Sequence, residues 1–202
     1  MVLFENSTTM IRADHVPGPG QGNWTYQDYA ALDDGKRYEI LDGVLYMTPA
    51  PGESHQNVAG NISFYFKLYV QFAGQGMVYS GPFDVELAPS YVVQPDVLVV
   101  LRENLHKLRH SHLIGAPDLT VEIASPSTVK IDRQAKKDAY ARAGVLEYWI
   151  VDPIAQTIKI FALEKGTYRQ LGIFSEQDTL PSKIVPEMKQ IRVEQLFASL
   201  VL

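Results

Sequence analysis

Apolar positions follow two periods along this chain. Val58, Ile62, Phe66, Tyr69 and Phe72 recur at spacings of four and three, so residues 54–73 predict a long helix with one face toward a core. Gly74 and Gly76 close it. Elsewhere the apolar residues come in short runs. RYEILDGVLYMT holds two around Asp42-Gly43, a hairpin signal. MVYSG and FDVEL predict short strands. VVQPDVLVVL predicts a third, near-continuously apolar as in a central strand covered on both faces. RENLHKLRHSHLIGAP reads as a polar connection and DLTVEIA as another strand. Ser125 to Ala143 predicts a helix with Pro126 near its start and Gly144 just past its end. Leu146 to Val151 and Thr157 to Leu163 predict strands around an Asp-Pro turn. A further short strand pair and a terminal helix near Val193 to Leu200 complete the chain.

At the front, Thr25 and Asp28 have the spacing of a capping box, which predicts a short helix through Leu32. Residues 1–23, with the stretch DHVPGPGQGN, read as a flexible or loosely draped arm. Residues 24–202 read as one domain. The element order implies a mixed α/β (α+β) fold with a central mixed sheet flanked by helices.

Composition narrows the function classes. The chain has 202 residues, 46% hydrophobic and 20% charged, an ordinary balance for a globular domain with a core. Its net charge is -5, so no global basic field advertises nucleic acid. Contact with DNA would need a local basic patch or metal ions over acidic residues. Cysteine is absent, which excludes disulfides and thiolate metal sites and fits a cytoplasmic location. No apolar run approaches the ~20 residues that span a bilayer, and no signal peptide is expected from MVLFENSTTM.

Three carboxylates stand where apolar residues belong. Glu122 lies inside LTVEIA, where an unpaired buried carboxylate would cost roughly several kcal/mol. Asp96, Leu98 and Val100 share one strand face, and Thr120, Glu122 and Ala124 share another. If these strands are neighbours, Asp96 and Glu122 converge near the strand ends and form an oxygen site suited to Mg²⁺. A structural salt bridge, or a Glu122 facing solvent at a sheet edge, would also explain them. Glu39 in RYEIL is a third candidate, with a pairing to Arg37 on a half-exposed strand as the plain alternative.

Pro95-Asp96 followed by the distant Glu122 resembles the PD-(D/E)xK nuclease pattern. The stretches RYEILDGVLYMTPAPGESHQ, QPDVLVV, APDLTVEIASPST and DRQAKKDAYARAGVLEYWIVDP are similar to the Uma-two family of bacterial restriction endonucleases, a domain family of unknown function. The resemblance covers roughly residues 24 to 197 and implies a restriction-endonuclease-like core. It further implies an Mg²⁺- or Mn²⁺-dependent endonuclease that hydrolyses DNA phosphodiester bonds. Asp96, Glu122 and the Ile123 carbonyl would hold the metal, and Glu39 would complete the cage directly or through water. The pattern's usual lysine position is Ala124 here, and the family's lysine corresponds to Lys136. It lies on one helix face with Asp132 and Tyr140. Lys136 would orient water or stabilise the phosphate. A simple Lys136–Asp132 pair on a solvated face is the alternative.

His55 matches a family histidine and is a candidate for substrate phosphate or a carboxylate. Arg133, Lys137 and Tyr140 are further candidates for substrate contact, with Lys137 about 100° around the helix from Lys136. Tyr140 and the aromatics of Glu147-Tyr148-Trp149 also read as core. His106, His110 and His112 form a basic loop with Arg102, Lys107 and Arg109. That loop suits phosphate contact or plain solvation better than a metal site. The rival to an enzyme is a catalytically inactive nuclease-like module that binds DNA or a protein partner. A small-molecule enzyme using the same carboxylates is a third reading. A homodimer through helix 54–73 or the arm is one option for assembly.

Overall fold

The computed structural model describes residues 10–124 and 130–199, with residues 130–133 described in backbone only. The first part of the chain runs β1 (Ile11–Arg12), α1 (Tyr26–Ala30), β2 (Tyr38–Leu41), β3 (Val44–Met47) and α2 (Glu53–Phe66). Then come β4 (Gly76–Ser80), β5 (Asp84–Ala88), β6 (Tyr91–Val93), β7 (Val97–Leu101), β8 (His112–Ile114) and β9 (Leu119–Ile123). The chain finishes with α3 (Lys130–Ala143), β10 (Glu147–Asp152), β11 (Thr157–Glu164), β12 (Thr167–Ser175) and α4 (Val193–Leu196).

Local chemistry accounts for the early elements. Thr25 caps α1 through a reciprocal capping box with Asp28, so two otherwise orphaned N–H groups are satisfied. Asp42 and Gly43 turn the β2–β3 hairpin with φ of 50° and 73°, the doubly left-handed geometry that suits the twist of paired strands. Gly144 ends α3 with φ 92°, and its N–H returns to the Tyr140 carbonyl at 3.1 Å. The start of the helix expected from Ser125 lies partly outside the described residues.

Among the described residues the strands form two six-stranded mixed sheets rather than one central sheet. The first has the order β1-β3-β2-β6-β5-β8 and the second β12-β11-β10-β9-β7-β4. The run VVQPDVLVVL, expected as one strand, is split between them. β6 pairs with β2 and β5 in the first sheet, whereas β7 pairs with β4 and β9 in the second. Pro95 has no N–H to give a ladder, so the chain changes sheet there.

Among the described residues, three apolar clusters hold the layers together. One lies between α2, α4 and the second sheet, with Ile62, Phe66, Val121 and Trp149 at its centre. Another joins both sheets and α3 through Val93, Leu98, Tyr140 and Tyr148. The third packs Trp24 and Ala13 on Tyr38, Ile40 and Leu45. Thus part of the 1–23 segment contributes β1 and the buried Ala13.

Other expectations change in detail. α2 continues into a π-helical stretch, Lys67–Gln71. Val70, four residues after Phe66, is buried, while Phe72, expected on the core face, is 72% exposed. The polar connection contains a 3₁₀ helix, Arg102–Lys107, and β8, which pairs in parallel with β5. In place of a late short strand pair, the nine-residue β12 extends along β11.

Candidate active site

β7 and β9 are antiparallel neighbours, with Val97 opposite Val121 and Leu98 opposite Thr120. One more step in that register sets Asp96 against Glu122 on a shared face. The side chain of Asp96 completes the ladder at this point. Its Oδ2 accepts the Ile123 N–H at 2.7 Å, and its own N–H donates to the Val121 carbonyl at 3.1 Å. The first turn of α2 brings His55 in from the other side, with Nε2 at 3.2 Å from Asp96 Oδ1.

Glu122 meets the helix that follows its strand. Tyr140 donates to Glu122 Oε1 at 2.6 Å, and Lys136 Nζ lies 3.5 Å from the same oxygen. Four residues separate Lys136 and Tyr140, so both project from one face of α3. Lys136 also reaches the first sheet. Its Nζ is 2.9 Å from Oε1 and 2.8 Å from Oε2 of Glu39. Gln94, just before the sheet change, donates its backbone N–H to Glu39 Oε1 at 2.7 Å. Glu39, Asp96, Glu122 and Lys136 therefore gather at one end of both sheets.

The electrostatics follow from crowding. Burial pushes the Glu122 carboxyl up to about 7. The Lys136 charge and the Tyr140 bond oppose this, while the charges of Asp96 and Glu39 add to it. For His55, burial disfavours the imidazolium, but the hydrogen bond and charge of Asp96, with the charge of Glu122, outweigh it and raise the pKa. Burial also raises the Tyr140 phenol, helped by the charges of Glu122 and Glu39.

These groups open into a cleft of about 530 Å³. Arg37 and Lys67 supply positive charge to its walls, and Pro49, Ala50, Pro51 and Phe64 supply an apolar rim. Glu39 and Lys136 are nearly buried, whereas the side chains of Asp96 and Glu122 are 21% and 19% exposed. Among the described residues, no group of three His, Asp or Glu side chains is arranged to hold a metal ion.

The other expected contacts divide. Arg37 does not pair with Glu39; its Nη2 donates to the Pro49 carbonyl at 2.6 Å. Lys137 turns away, with Nζ 4.1 Å from the centre of the Phe161 ring. The side chain of Arg133, like that of Asp132, lies outside the described residues. Tyr140 is core and site at once. The three loop histidines do not converge on a common centre: His106 bonds the Glu103 carbonyl, and His112 stacks on Tyr26 at 4.0 Å. Gln94 was missed from the sequence. Besides holding Glu39, its side chain bonds Asp84 at 2.8 Å and Tyr29 at 3.2 Å. Its place beside Pro95-Asp96 was the available signal.

A family model described as "Putative restriction endonuclease", Uma2, matches residues 25–194. The chain belongs to the Uma2 family. Membership supports a nuclease-like function acting on nucleic acid. The Uma2 chain also resembles a crystal structure described as a "putative nuclease belonging to DUF820" from Anabaena variabilis. The TM-score is 0.69 at 19% identity, over 86% of this chain and 97% of the other. That likeness establishes the shared restriction-endonuclease-like fold. No curated protein matches the chain. Among the described residues, no helix is long and apolar enough to cross a membrane.

Proposed function

We propose that this Uma2 protein is a metal-dependent endonuclease that hydrolyses DNA phosphodiester bonds at the Asp96–Glu122 pair. The observation that carries the reading is the meeting of these carboxylates from adjacent strands, with Lys136 3.5 Å from Glu122. The residues fit a divalent cation. Both carboxylates open to the cleft, and burial, with the charges of Asp96 and Glu39, disfavours the ionised Glu122, a cost that a bound cation would offset.

Asp96, Glu122 and the Ile123 carbonyl would hold Mg²⁺ or Mn²⁺. In a strand residue the C=O points to the same side as its N–H, and the Ile123 N–H faces Asp96. Two carboxylates suit Mg²⁺, which normally retains several waters. A bound divalent cation supplies Lewis-acid chemistry, activating water and neutralising phosphate charge. The chain's own groups do the rest. His55 and the Ile123 N–H fix Asp96, and Tyr140 fixes Glu122. Lys136 orients the attacking water and stabilises charge growing on the phosphate. Arg37 and Lys67 attract the DNA backbone.

The test is cleavage of supercoiled DNA with Mg²⁺ by wild type and by Asp96→Ala. Nicking by wild type and its loss in the variant are expected. Equal activity in both removes the proposed site.

The place of the lysine favours a second reading, a catalytically inactive module that binds DNA or a protein: Ala124 stands where the usual pattern has lysine, and Lys136 comes from α3 instead. Calorimetric titration with Mn²⁺ separates the two. Binding that disappears in Glu122→Ala supports the enzyme; a wild type that binds no Mn²⁺ supports the module.

A further inference from the structure

Glu39 is bonded in a way that sets it apart from the other two carboxylates. Both of its oxygens lie against one ammonium, at 2.9 and 2.8 Å from Lys136 Nζ. Oε1 also accepts the Gln94 N–H at 2.7 Å. The side chain is only 2% exposed. An ionised carboxylate offers about four lone-pair sites, and three of these are already directed at protein donors. A hydrated Mg²⁺ keeps its waters and its octahedral geometry, and a carboxylate with both oxygens already against Lys136 is poorly placed to offer it a ligand.

The positions of the three partners explain why the arrangement matters. Glu39 belongs to β2 in the first sheet, whereas Lys136 rides on α3 against the second sheet. Gln94 precedes Pro95-Asp96 at the change of sheet. Glu39 therefore ties the α3 ammonium to the segment that carries Asp96. The lysine stem is long and flexible, and contact with both Glu39 oxygens fixes where its charge stands. Clamped by Glu39, the ammonium stands 3.5 Å from Glu122 Oε1.

We propose that Glu39 is a positioning residue, which fixes the Lys136 ammonium against Glu122 and does not itself ligate the metal. The inference rests on the nuclease reading for the use of Lys136, but the geometry of the clamp is independent of it. It leaves Asp96, Glu122 and the Ile123 carbonyl for the cation and assigns Glu39, expected from the sequence to complete that cage, to the lysine.

The experiment compares Glu39→Gln, Lys136→Met, the double variant and Glu122→Gln, all in the full chain. Glu39→Gln keeps the size and the Gln94 contact but removes the charge that faces the ammonium. Mn²⁺ affinity by calorimetry is expected to stay within about threefold of wild type in Glu39→Gln and to fall at least tenfold in Glu122→Gln. Supercoiled-DNA cleavage is expected to fall at least tenfold in Glu39→Gln. It should fall no further when Lys136→Met already carries the change, because residues acting as one unit are not additive. Equal loss of Mn²⁺ affinity in Glu39→Gln and Glu122→Gln overturns the proposal, as does a double variant whose loss is the product of the two single losses. A third readout needs neither metal nor activity. The ¹⁵N resonance of the Lys136 ammonium should be visible through slow proton exchange in wild type and Glu122→Gln, and lost in Glu39→Gln. Its survival in Glu39→Gln overturns the clamp. If wild type binds no Mn²⁺ and cuts no DNA, the nuclease reading fails, and this resonance still decides the role of Glu39.

Discussion

The Tyr140 hydroxyl donates to Glu122 Oε1 at 2.6 Å across the joint between α3 and β9. The phenol is fully buried, so it cannot exchange this partner for water. The bond helps hold Glu122 toward its ionised form, against burial and the neighbouring carboxylates. Tyr140→Phe keeps the ring in the core and removes only the donor. Stability should fall by about 2 kcal/mol, the scale of a hydrogen bond to a charged group. The apparent pKa for Mn²⁺ binding should move upward from the wild-type value. Urea denaturation and Mn²⁺ titration across pH check the two effects; a variant unchanged in both would deny the bond any role.

Two other buried carboxylates serve the fold alone. Glu147 accepts the Trp149 indole N–H at 2.7 Å and the Lys183 backbone N–H at 2.8 Å. Asp118 accepts the Leu101 N–H at 2.7 Å and the Asn104 amide at 2.8 Å. Glu147→Ala strands two donors, one of them deep in the core, and should destabilise by roughly 2–4 kcal/mol. Neither residue lines the cleft, so Mn²⁺ affinity of the folded variant should match wild type. Denaturation midpoints together with calorimetry measure the separation.

The π-helical stretch after α2 makes its own prediction. Val70→Ala opens a cavity in the main core and should cost about 2 kcal/mol. Phe72→Ala trims a ring that faces solvent and should change stability by under about 0.5 kcal/mol. Urea denaturation of the two variants checks the difference; a larger loss in Phe72→Ala than in Val70→Ala would place that ring inside.

What could be read from the sequence was local or periodic. The capping box at Thr25, the Asp42-Gly43 hairpin and the stop at Gly144 depend on neighbouring residues, and all three form. The opposition of Asp96 and Glu122 needed only strand alternation and the assumption that β7 and β9 are neighbours. The Glu39–Lys136 clamp joins residues from different sheets and could not be found from spacing. The change of sheet at Pro95 was hidden because the apolar runs on either side look continuous. Spacings of three and four admit more than one stripe in this helix; the buried one runs Val58, Ile62, Phe66 and Val70, and Phe72 lies off it. Glu122, Glu147 and Asp118 are all carboxylates within or beside strands. Only their partners separate them: backbone and indole donors for the last two, a lysine and a tyrosine at an open cleft for the first.

Burial, with the charges of Asp96 and Glu39, sets the pH dependence against the pull of Lys136 and Tyr140. Glu122 has its ordinary value at 4.5 and stands at about 7 in the folded chain. Below 4.5 it is protonated whether the chain is folded or not, and it costs nothing. Between 4.5 and 7 the unfolded chain gives up this proton while the folded chain keeps it, so rising pH favours unfolding. Above 7 the penalty is complete, on the order of 3 kcal/mol. His55 acts in the same direction. Its raised pKa contributes stability that is full below the ordinary value of 6.5 and lost as pH climbs through the folded one. Metal-free protein should therefore lose stability from pH 5 to pH 8, and Glu122→Gln should flatten most of that slope. If the carboxylates hold a cation, Mn²⁺ should raise the melting temperature more at pH 8 than at pH 6, because binding requires the ionised form. Thermal melts at the two pH values, with and without Mn²⁺, give both answers. A wild-type slope that survives unchanged in Glu122→Gln would show that other groups set it.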